Sequence, residues 1–135
     1  MKNLNAYLSF NGNCREAMTF YNICIGGHLI VNEVGEGQME TSKEDKNKVL
    51  HAVLTHETFE LMASDVMAGQ PYLQGTNVSL SINCSTAEEA EKLFHSLGNG
   101  GNVTMPMQET FWGAYFGMLT DKFGINWLFN YDKNA

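Results

Sequence analysis

The two halves of this 135-residue chain repeat one pattern. Leu8-Ser9-Phe10 matches Leu80-Ser81-Ile82, and Gly26-Gly27 matches Gly100-Gly101. Between these landmarks an apolar helical stripe recurs, with Ala17, Phe20 and Tyr21 matching Ala90, Leu93 and Phe94. A duplicated unit that cannot bury both faces of its own sheet usually folds against a second copy. We therefore expect a single α+β domain of two paired βαβββ modules, about 1–68 and about 76–135, whose curved mixed sheet surrounds a cavity with the helices outside.

Alternating apolar residues predict the strands, and apolar residues at helical spacing predict the helices. In the first module the pattern predicts strands at 5–11, 28–34, 49–55 and 58–64, the last two forming a hairpin. Asn13 is the expected cap of a helix that ends before Gly26, and the polar stretch 35–48 is expected to be a long loop.

The second module repeats this order after an irregular connection at 65–75. The predicted strands are 77–83, 102–107, 114–120 and 125–131. Thr86 followed by Glu89 has the pattern of a capping box at the start of the helix. Asp121 to Gly124 is expected to form a turn between two apolar runs, and Trp127 and Phe129 are expected in the core.

The composition excludes several classes of partner. A formal net charge of -7 argues against nucleic acid, which requires clustered Lys and Arg. No apolar run is long enough to span a membrane, and the first residues lack a signal-peptide pattern, so we expect a cytoplasmic protein. The three cysteines lack C-x-x-C spacing and are expected to be buried thiols. A nucleophilic role for Cys14, near a helix start, is the less favoured reading.

Several segments together resemble the PhnB-like branch of the vicinal oxygen chelate superfamily, which includes glyoxalase I, bleomycin-resistance proteins and extradiol dioxygenases. They are YLSFNGNCREAMTFY, ELMASD, NVSLSI and MPMQETFWGAYFGMLTDKFGINWLFN. The resemblance covers nearly the whole chain. It implies two βαβββ modules around a U-shaped cavity and a homodimer.

The resemblance also implies where a divalent metal would bind, because metal-dependent members supply His or carboxylate ligands from the first and last strands of each module. When Phe59 is aligned with Trp127, Glu60 falls opposite Leu128. The resulting positions are Asn5 or Ala6, Glu60, Asn77 and Leu128. One carboxylate without an imidazole is a poor donor set for Zn, Ni or Fe. We therefore expect no tightly bound metal, and the sequence indicates no other cofactor.

Two residues are candidates for catalysis. Glu60, on a strand, becomes a general base if a closed cavity buries it; the competing interpretation is a solvent-facing glutamate. His51, on the neighbouring strand, is a candidate proton shuttle or ligand partner of Glu60. The competing and more common interpretation is a structural histidine that is hydrogen-bonded near the sheet.

The candidate ligand-binding residues share polar or adaptable side chains at positions expected to face the cavity. Their structural alternatives are packing, dimer contacts or simple exposure to water. They are Tyr7, Ser9, Met62, Asn77, Ser79, Trp112, Tyr115, Asn126 and Leu128.

These features favour a binding protein for a small organic ligand. The alternatives are a metal-dependent lyase, isomerase or dioxygenase-like enzyme that uses Glu60, and an interaction module whose cavity has collapsed. The names of some relatives in the family imply a methyltransferase acting on a ubiquinone precursor. The sequence argues against that activity, because no glycine-rich nucleotide loop lies between a strand and a helix.

Overall fold

The computed structural model of the protein describes residues 1–36 and 45–134. The chain divides into two compact units, residues 1–73 and 74–135, which we call module one and module two. Each contains a four-stranded mixed sheet and an α-helix in the order strand, helix, strand, strand, strand. This confirms the predicted α+β class and the repeated βαβββ unit. Neither sheet closes into a barrel.

Module one contains the strands β1 (Ala6–Phe10), β2 (His28–Glu33), β3 (Val49–Thr55) and β4 (Glu60–Asp65), with the helix α1 (Cys14–Ile25) after β1. The spatial order is β1-β4-β3-β2, and β1 runs parallel to β4. The predicted β3–β4 hairpin is confirmed, but β4 begins later than expected because the His56 N–H donates to the Phe59 carbonyl within the turn. Most of the predicted loop, residues 37–44, lies outside the described residues.

Module two contains the strands β5 (Ser79–Asn83), β6 (Asn102–Glu109), β7 (Ala114–Thr120) and β8 (Asn126–Asp132), with the helix α2 (Ala87–Gly98) after β5. The order is β5-β8-β7-β6, so β6 is an edge strand. Its Pro106 has no N–H to give to a ladder, which an edge strand tolerates, and the register shifts between Met105 and Gln108.

The start of α1 is held by a residue that the sequence pattern did not indicate. Asn13 occupies the cap position but makes no side-chain cap hydrogen bond, so the predicted cap is wrong. Instead, Asp65 at the end of β4 accepts hydrogen bonds from the N–H groups of Gly12 at 2.9 Å and Cys14 at 3.0 Å. Its other oxygen accepts from the Val49 N–H at 2.9 Å. This buried carboxylate therefore ties α1 to both central strands.

The predicted cap of α2 by Thr86 is confirmed, and the return bond from Glu89 is shifted by one residue from a standard capping box. The Thr86 hydroxyl accepts from the Glu89 N–H at 3.1 Å, and the Glu89 carboxylate accepts from the Ser85 N–H at 2.8 Å. The helix buries Ala90, Phe94 and Leu97. Phe94 meets Phe129 of β8 edge to face, with ring centroids 5.5 Å apart. This contact fixes which face of the second sheet is covered.

The turn before β8 is organised by a second buried carboxylate. One Asp121 oxygen accepts from the N–H groups of Phe123 and Ile125, and the other accepts from the indole N–H of Trp127 at 2.8 Å. Gly124 has φ +86, a conformation that residues with a side chain rarely adopt. Trp127 and Phe129 are buried, as predicted. Among the described residues, no helix has the length and apolar character needed to cross a membrane.

Candidate functional site

The sheet of module one has one face covered by α1 and one face left open by it. The covered face carries the buried side chains Phe10, Ala52, Leu54, Leu61 and Ala63. Because strand residues alternate between faces, the residues between them point the other way. We call this second set the open face of module one. It consists of Tyr7, Ser9, His28, Ile30, Asn32, His51, Val53, Thr55, Glu60, Met62 and Ser64.

An apolar row crosses the middle of this open face. Ladder pairing places Ile30 opposite Val53, and Val53 opposite Met62. Met62 in turn lies opposite Tyr7 on the edge strand β1. All four strands thus contribute one apolar or aromatic residue to one line. Ile30 is 52% exposed and Tyr7 48% exposed, so the two ends of this row remain open to solvent within the described protein.

A polar row lies beside the apolar row. It pairs Asn32 with His51 and Ser9 with Ser64. The Tyr7 hydroxyl oxygen lies 3.3 Å from Nδ1 of His51, and the two ring centroids are 5.8 Å apart. A neutral His51 with its proton on Nε2 accepts this hydrogen bond and leaves its Nε2–H free to donate to a ligand. The structure therefore brings together the predicted residues Tyr7, Ser9 and His51.

The opposite flank of the apolar row is also polar. Ladder pairing places His28 opposite Thr55, and Thr55 opposite Glu60. Glu60 is exposed, so module one by itself does not bury the carboxylate as the general-base hypothesis requires. Met62 separates Glu60 from the Tyr7–His51 pair along β4, because residues 60, 62 and 64 follow one another on the same face.

Module two has an open face of different chemistry. The rows across it are Ser79–Asn126–Thr120, Ser81–Leu128–Met118 and Asn83–Asn130–Phe116. The side chains of these three rows are serine, threonine, carboxamide and apolar groups. The next pair of the β7–β8 ladder, Ala114–Asp132, adds a carboxylate at the exposed end of β8. The predicted residues Ser79, Asn126 and Leu128 therefore lie on one face. Ser79 is exposed, and Asn126 and Leu128 are half-buried.

The Asn126 carboxamide is already engaged by its own module. Its oxygen accepts from the Thr120 hydroxyl at 2.8 Å, and its nitrogen donates to the carbonyls of Thr76 and Val78 at 3.3 and 3.1 Å. Asn130 donates to the Asn83 carboxamide at 3.4 Å. Asn126 consequently orients the segment that leads into β5, and a ligand would have to compete for its polar atoms.

Three predicted residues lie away from the open faces. Tyr115 shares the helix-covered face with Phe129 and Trp127, and its hydroxyl donates to Glu91 of α2. That hydrogen bond raises the pKa of the Tyr115 hydroxyl. Asn77 is exposed and precedes β5, so the predicted strand start was wrong. Trp112 lies in the β6–β7 turn, 59% exposed, with its ring 6.2 Å from that of Phe116.

The observed register corrects the alignment used to predict the metal positions. With Leu8 matched to Leu80, the parallel ladders pair Leu8 with Ala63 and Leu80 with Trp127. Ala63, and not Phe59, is therefore the counterpart of Trp127. Ser64 then corresponds to Leu128, and Glu60 corresponds to Gly124. The sequence alignment was wrong by four residues, an even shift that alternation does not detect, because Glu60 and Ser64 lie on the same face of β4.

The corrected positions do not fit a divalent metal. Ser64 offers one neutral hydroxyl, and Leu128 offers no donor. Glu60 no longer aligns with Leu128, so it is not at one of the implied metal positions. Within 1–36 and 45–134, no three His, Cys, Asp or Glu side chains are grouped as metal ligands would be. The donor chemistry of this chain thus differs from the His and carboxylate set implied by the resemblance to metal-dependent members.

Cys14 is not an available nucleophile. It is fully buried, and burial, together with the adjacent Asp65 carboxylate, raises the pKa of its thiol to about 12. Burial and then Glu89 raise the pKa of the Cys84 thiol to about 11. Both groups are therefore protonated near neutral pH, and the prediction that these are buried thiols is confirmed for Cys14 and Cys84.

An open groove of about 510 Å³ lies beside α1 in module one. Its lining residues are Gly12, Asn13, Arg15, Glu16, Thr19, Asn47, Val49 and Asp65. The Asp65 carboxylate in its lining already accepts three backbone hydrogen bonds. Arg15 is paired with Glu33 at 2.6 Å. These engaged groups make the groove a weaker candidate than the open face.

The sequence pattern missed the members that complete the open face of module one. Ser64, Val53 and Ile30 lie on the same face as the predicted residues, but the sequence analysis did not predict them as site residues. The alternation in Glu60-Leu61-Met62-Ala63-Ser64 was a sufficient signal for Ser64, since Glu60 and Met62 had already been placed on that face. The rows themselves depend on strand register, which one sequence does not specify.

Comparison with known proteins agrees with this architecture. The family model described as 3-demethylubiquinone-9 3-methyltransferase matches residues 2–129. The chain belongs to this family. Protein YjdN of Escherichia coli (strain K12) is 30% identical over 141 residues, which cover 96% of this chain and 95% of that protein.

Solved structures extend the likeness to the fold of this PhnB-like chain. Protein PA1353 from Pseudomonas aeruginosa is 42% identical, with 98% of each chain covered and a TM-score of 0.87. A PhnB protein from Bacillus cereus, described as a putative 3-demethylubiquinone-9 3-methyltransferase, is 26% identical over 96% of this chain and 99% of that chain, with a TM-score of 0.80. Glyoxalase/bleomycin resistance proteins share the fold at 16% identity, which is consistent with the vicinal oxygen chelate superfamily.

Proposed function

We propose that this PhnB-like protein binds a small organic ligand on the open face of module one and does so without a tightly held metal. The observation that carries the proposal is the row Ile30–Val53–Met62–Tyr7, flanked on one side by the hydrogen-bonded Tyr7–His51 pair. An apolar strip with a few directed polar groups at its margin is typical of small-molecule sites.

The apolar row supplies the contact area. Met62 is unbranched and polarizable, so it adapts to flat ligands and makes favourable contacts with aromatic rings. Val53 and Met62 are half-buried side by side at the centre of the sheet, which gives the ligand a firm support. Tyr7 adds an aromatic ring at the margin, and its exposed edge leaves room for a ring to stack or pack against it.

The polar margin supplies orientation. The hydrogen bond between Tyr7 and His51 fixes both side chains across the intervening strand β4. Fixing them before the ligand arrives reduces the entropy that binding must overcome. Ser9 and Ser64, neighbours on β1 and β4, add hydroxyl groups that serve as donors or acceptors. The ligand class is accordingly a flat apolar molecule with a hydrogen-bonding group at one edge.

A methyltransferase activity, as the family description implies, finds no support in these residues. The sequence has no G-x-G-x-x-G nucleotide motif. In module one, Gly12 lies between a strand and a helix. The backbone N–H groups of Gly12 and Cys14 already donate to the Asp65 carboxylate there. A carboxylate at this helix start repels an anionic group that would otherwise bind there.

Isothermal titration with 3-ethylindole, a flat uncharged probe, tests the proposal. Wild-type protein is expected to bind it saturably, and Met62→Gln to weaken the affinity at least about threefold through loss of apolar contact. The matched control is Met67→Gln, in the connection after β4. Failure of the wild type to bind, or equal effects of the two substitutions, would refute the proposed site.

The metal-free part of the proposal has its own test. Protein purified without chelator is expected to contain less than stoichiometric Zn, Ni, Mn or Fe by elemental analysis, because the corrected positions offer few strong donors. Stoichiometric metal that disappears in Glu60→Gln would favour the alternative, a metal-dependent lyase, isomerase or dioxygenase-like enzyme that uses this carboxylate.

We propose, in addition, a homodimer. Phe111 and Trp112 are adjacent in the β6–β7 turn, 96% and 59% exposed, and their rings meet edge to face at 5.0 Å. Exposed aromatic residues of this kind are enriched at protein interfaces. Sedimentation velocity is expected to show a dimer that Phe111→Ser weakens, whereas Leu73→Ser, which alters an equally exposed apolar residue, has no effect. A monomeric wild type would contradict this assignment.

A further inference from the structure

The open face of module one has an asymmetric distribution of charge. At one margin of the apolar row lie hydrogen-bonding groups without a carboxylate, namely Ser9, Ser64 and the Tyr7–His51 pair. At the other margin lies the Glu60 carboxylate, opposite Thr55, and His28 lies beyond Thr55 in the same row. Within the open-face set, Glu60 is the only carboxylate, and the set contains neither Lys nor Arg.

The Glu60 carboxylate is free to pair with a charged ligand. It is exposed, and no ion pair or side-chain hydrogen bond is found for it among the partners that the structure describes. Two other strand carboxylates are engaged: Glu33 of β2 is paired with Arg15, and Glu109 of β6 with Lys133. An unpaired carboxylate at the end of an apolar strip therefore attracts a positively charged group.

The spacing along β4 matches an amphipathic ligand. Glu60 and Met62 are two residues apart on one face, a separation of about 7 Å for a β-strand. A ring resting on Met62 and Val53 thus places a short side arm over Glu60. The chain as a whole has a net charge of -7, which adds a long-range attraction for cations.

From this arrangement we propose that the ligand of the open face is a flat aromatic or apolar amine, whose ammonium group pairs with Glu60 while its ring covers Met62 and Val53. The inference rests on the proposed function and adds the charge of the ligand. It assigns Glu60 to ligand selection, as a binding residue, in place of the catalytic role predicted from the sequence.

Three matched probes test the inference by isothermal titration: tryptamine, 3-ethylindole and indole-3-propionate, which carry an ammonium, no charge and a carboxylate on the same ring. Tryptamine is expected to bind about threefold to tenfold tighter than indole-3-propionate. This is the affinity ratio expected when the ammonium forms an exposed ion pair with Glu60 and the carboxylate is repelled by it. Raising the salt concentration is expected to reduce this ratio.

Glu60→Gln is expected to bring the affinities for tryptamine and indole-3-propionate together and to leave that for 3-ethylindole unchanged. The matched control is Glu16→Gln, an exposed carboxylate of α1 on the helix side of the same module, which is expected to preserve the ratio. The wild-type ratio by itself tests the charge of the preferred ligand, even if a variant is poorly folded.

The outcomes separate the two proposals. If 3-ethylindole binds but the three probes bind equally, or indole-3-propionate binds best, the amine assignment is overturned and the proposed function stands. If the preference for tryptamine persists in Glu60→Gln, the assigned residue is wrong and the inference falls. If none of the three probes binds to the wild type, the proposed function fails and the inference fails with it.

Discussion

The Tyr7 hydroxyl oxygen lies 3.3 Å from Nδ1 of His51, although the two residues are separated by 44 positions in the sequence. The contact passes over β4, which lies between β1 and β3 in the sheet. It joins the edge strand of module one to an interior strand on the face that α1 leaves open. This relationship orients two polar side chains at the margin of an apolar row, and the proposed binding site depends on it.

The Tyr7–His51 contact predicts a single imidazole tautomer. With the Tyr7 hydroxyl as the donor, the neutral imidazole of His51 carries its proton on Nε2. In ¹⁵N NMR spectra at alkaline pH, His51 is expected to show mainly this tautomer, and Tyr7→Phe to increase the Nδ1–H form. Tyr72→Phe, an exposed tyrosine of the connection after β4, is the control. Equal tautomer ratios in the wild type and Tyr7→Phe would contradict the hydrogen bond.

Asp65→Asn is expected to destabilise the protein by about 2 to 4 kcal/mol. The carboxylate is buried and accepts backbone N–H bonds from Gly12, Cys14 and Val49. Asparagine replaces one acceptor oxygen with a donor group, which turns at least one of these bonds into a repulsive contact. Urea denaturation followed by circular dichroism measures the loss.

The control for this substitution is Asp132→Asn, at the exposed end of β8, which is expected to change the free energy of unfolding by less than about 0.5 kcal/mol. An Asp65→Asn variant as stable as the Asp132→Asn variant would show that the Asp65 carboxylate does not hold α1 on the sheet.

The two tryptophans are expected to differ in fluorescence. Trp127 is 3% exposed and donates its indole N–H to Asp121, whereas Trp112 is 59% exposed. Trp112→Phe, which keeps only Trp127, should therefore emit at shorter wavelength and resist quenching by acrylamide. Trp127→Phe should leave a red-shifted and readily quenched emission. A strongly quenched Trp127 would contradict its place in the core.

Thiol labelling is expected to distinguish the three cysteines. Cys14 and Cys84 are buried and have raised pKa values, about 12 and about 11, so little thiolate forms at pH 8. Cys24 is less buried and should react first with a disulfide reagent in the native protein. Cys24→Ser is expected to remove the fast phase. A fast phase that persists in this variant would contradict the assigned burial.

The raised pKa of Cys14 also predicts how stability depends on alkaline pH. The folded state favours the protonated thiol more than the unfolded state does, because burial raises the pKa from 9.0 to about 12. This contribution to stability is complete below pH 9 and is lost as the pH rises toward 12. Cys14→Ala is expected to be less stable at pH 7 but to lose less stability between pH 8 and 11 than the wild type.

The sequence was sufficient to predict the two βαβββ modules because the periodicity and the turn residues repeat. The capping box of Thr86 and Glu89 and the buried Trp127 and Phe129 are examples, since each depends on neighbours close in the sequence. The open-face positions of Tyr7, Ser9 and Met62 followed from simple alternation along a strand.

Features that depend on distant partners were not predictable in the same way. The role of Asp65 requires the end of β4 to meet the start of α1, and Tyr115 lies under α2 because of the β7–β8 register. Alternation alone assigns a residue to one of two faces without saying which one the helix covers. The misaligned Glu60 has the same origin, because a shift of four residues preserves the face.

The most direct test of the binding site is a titration of methyl-labelled methionine with 3-ethylindole, followed by NMR. Met62 lies on the open face of module one, whereas Met18 is fully buried in α1 and provides an internal reference. The proposed site predicts a saturable ring-current shift of the Met62 methyl group with little change at Met18. Saturable binding that leaves the Met62 signal unmoved would contradict it.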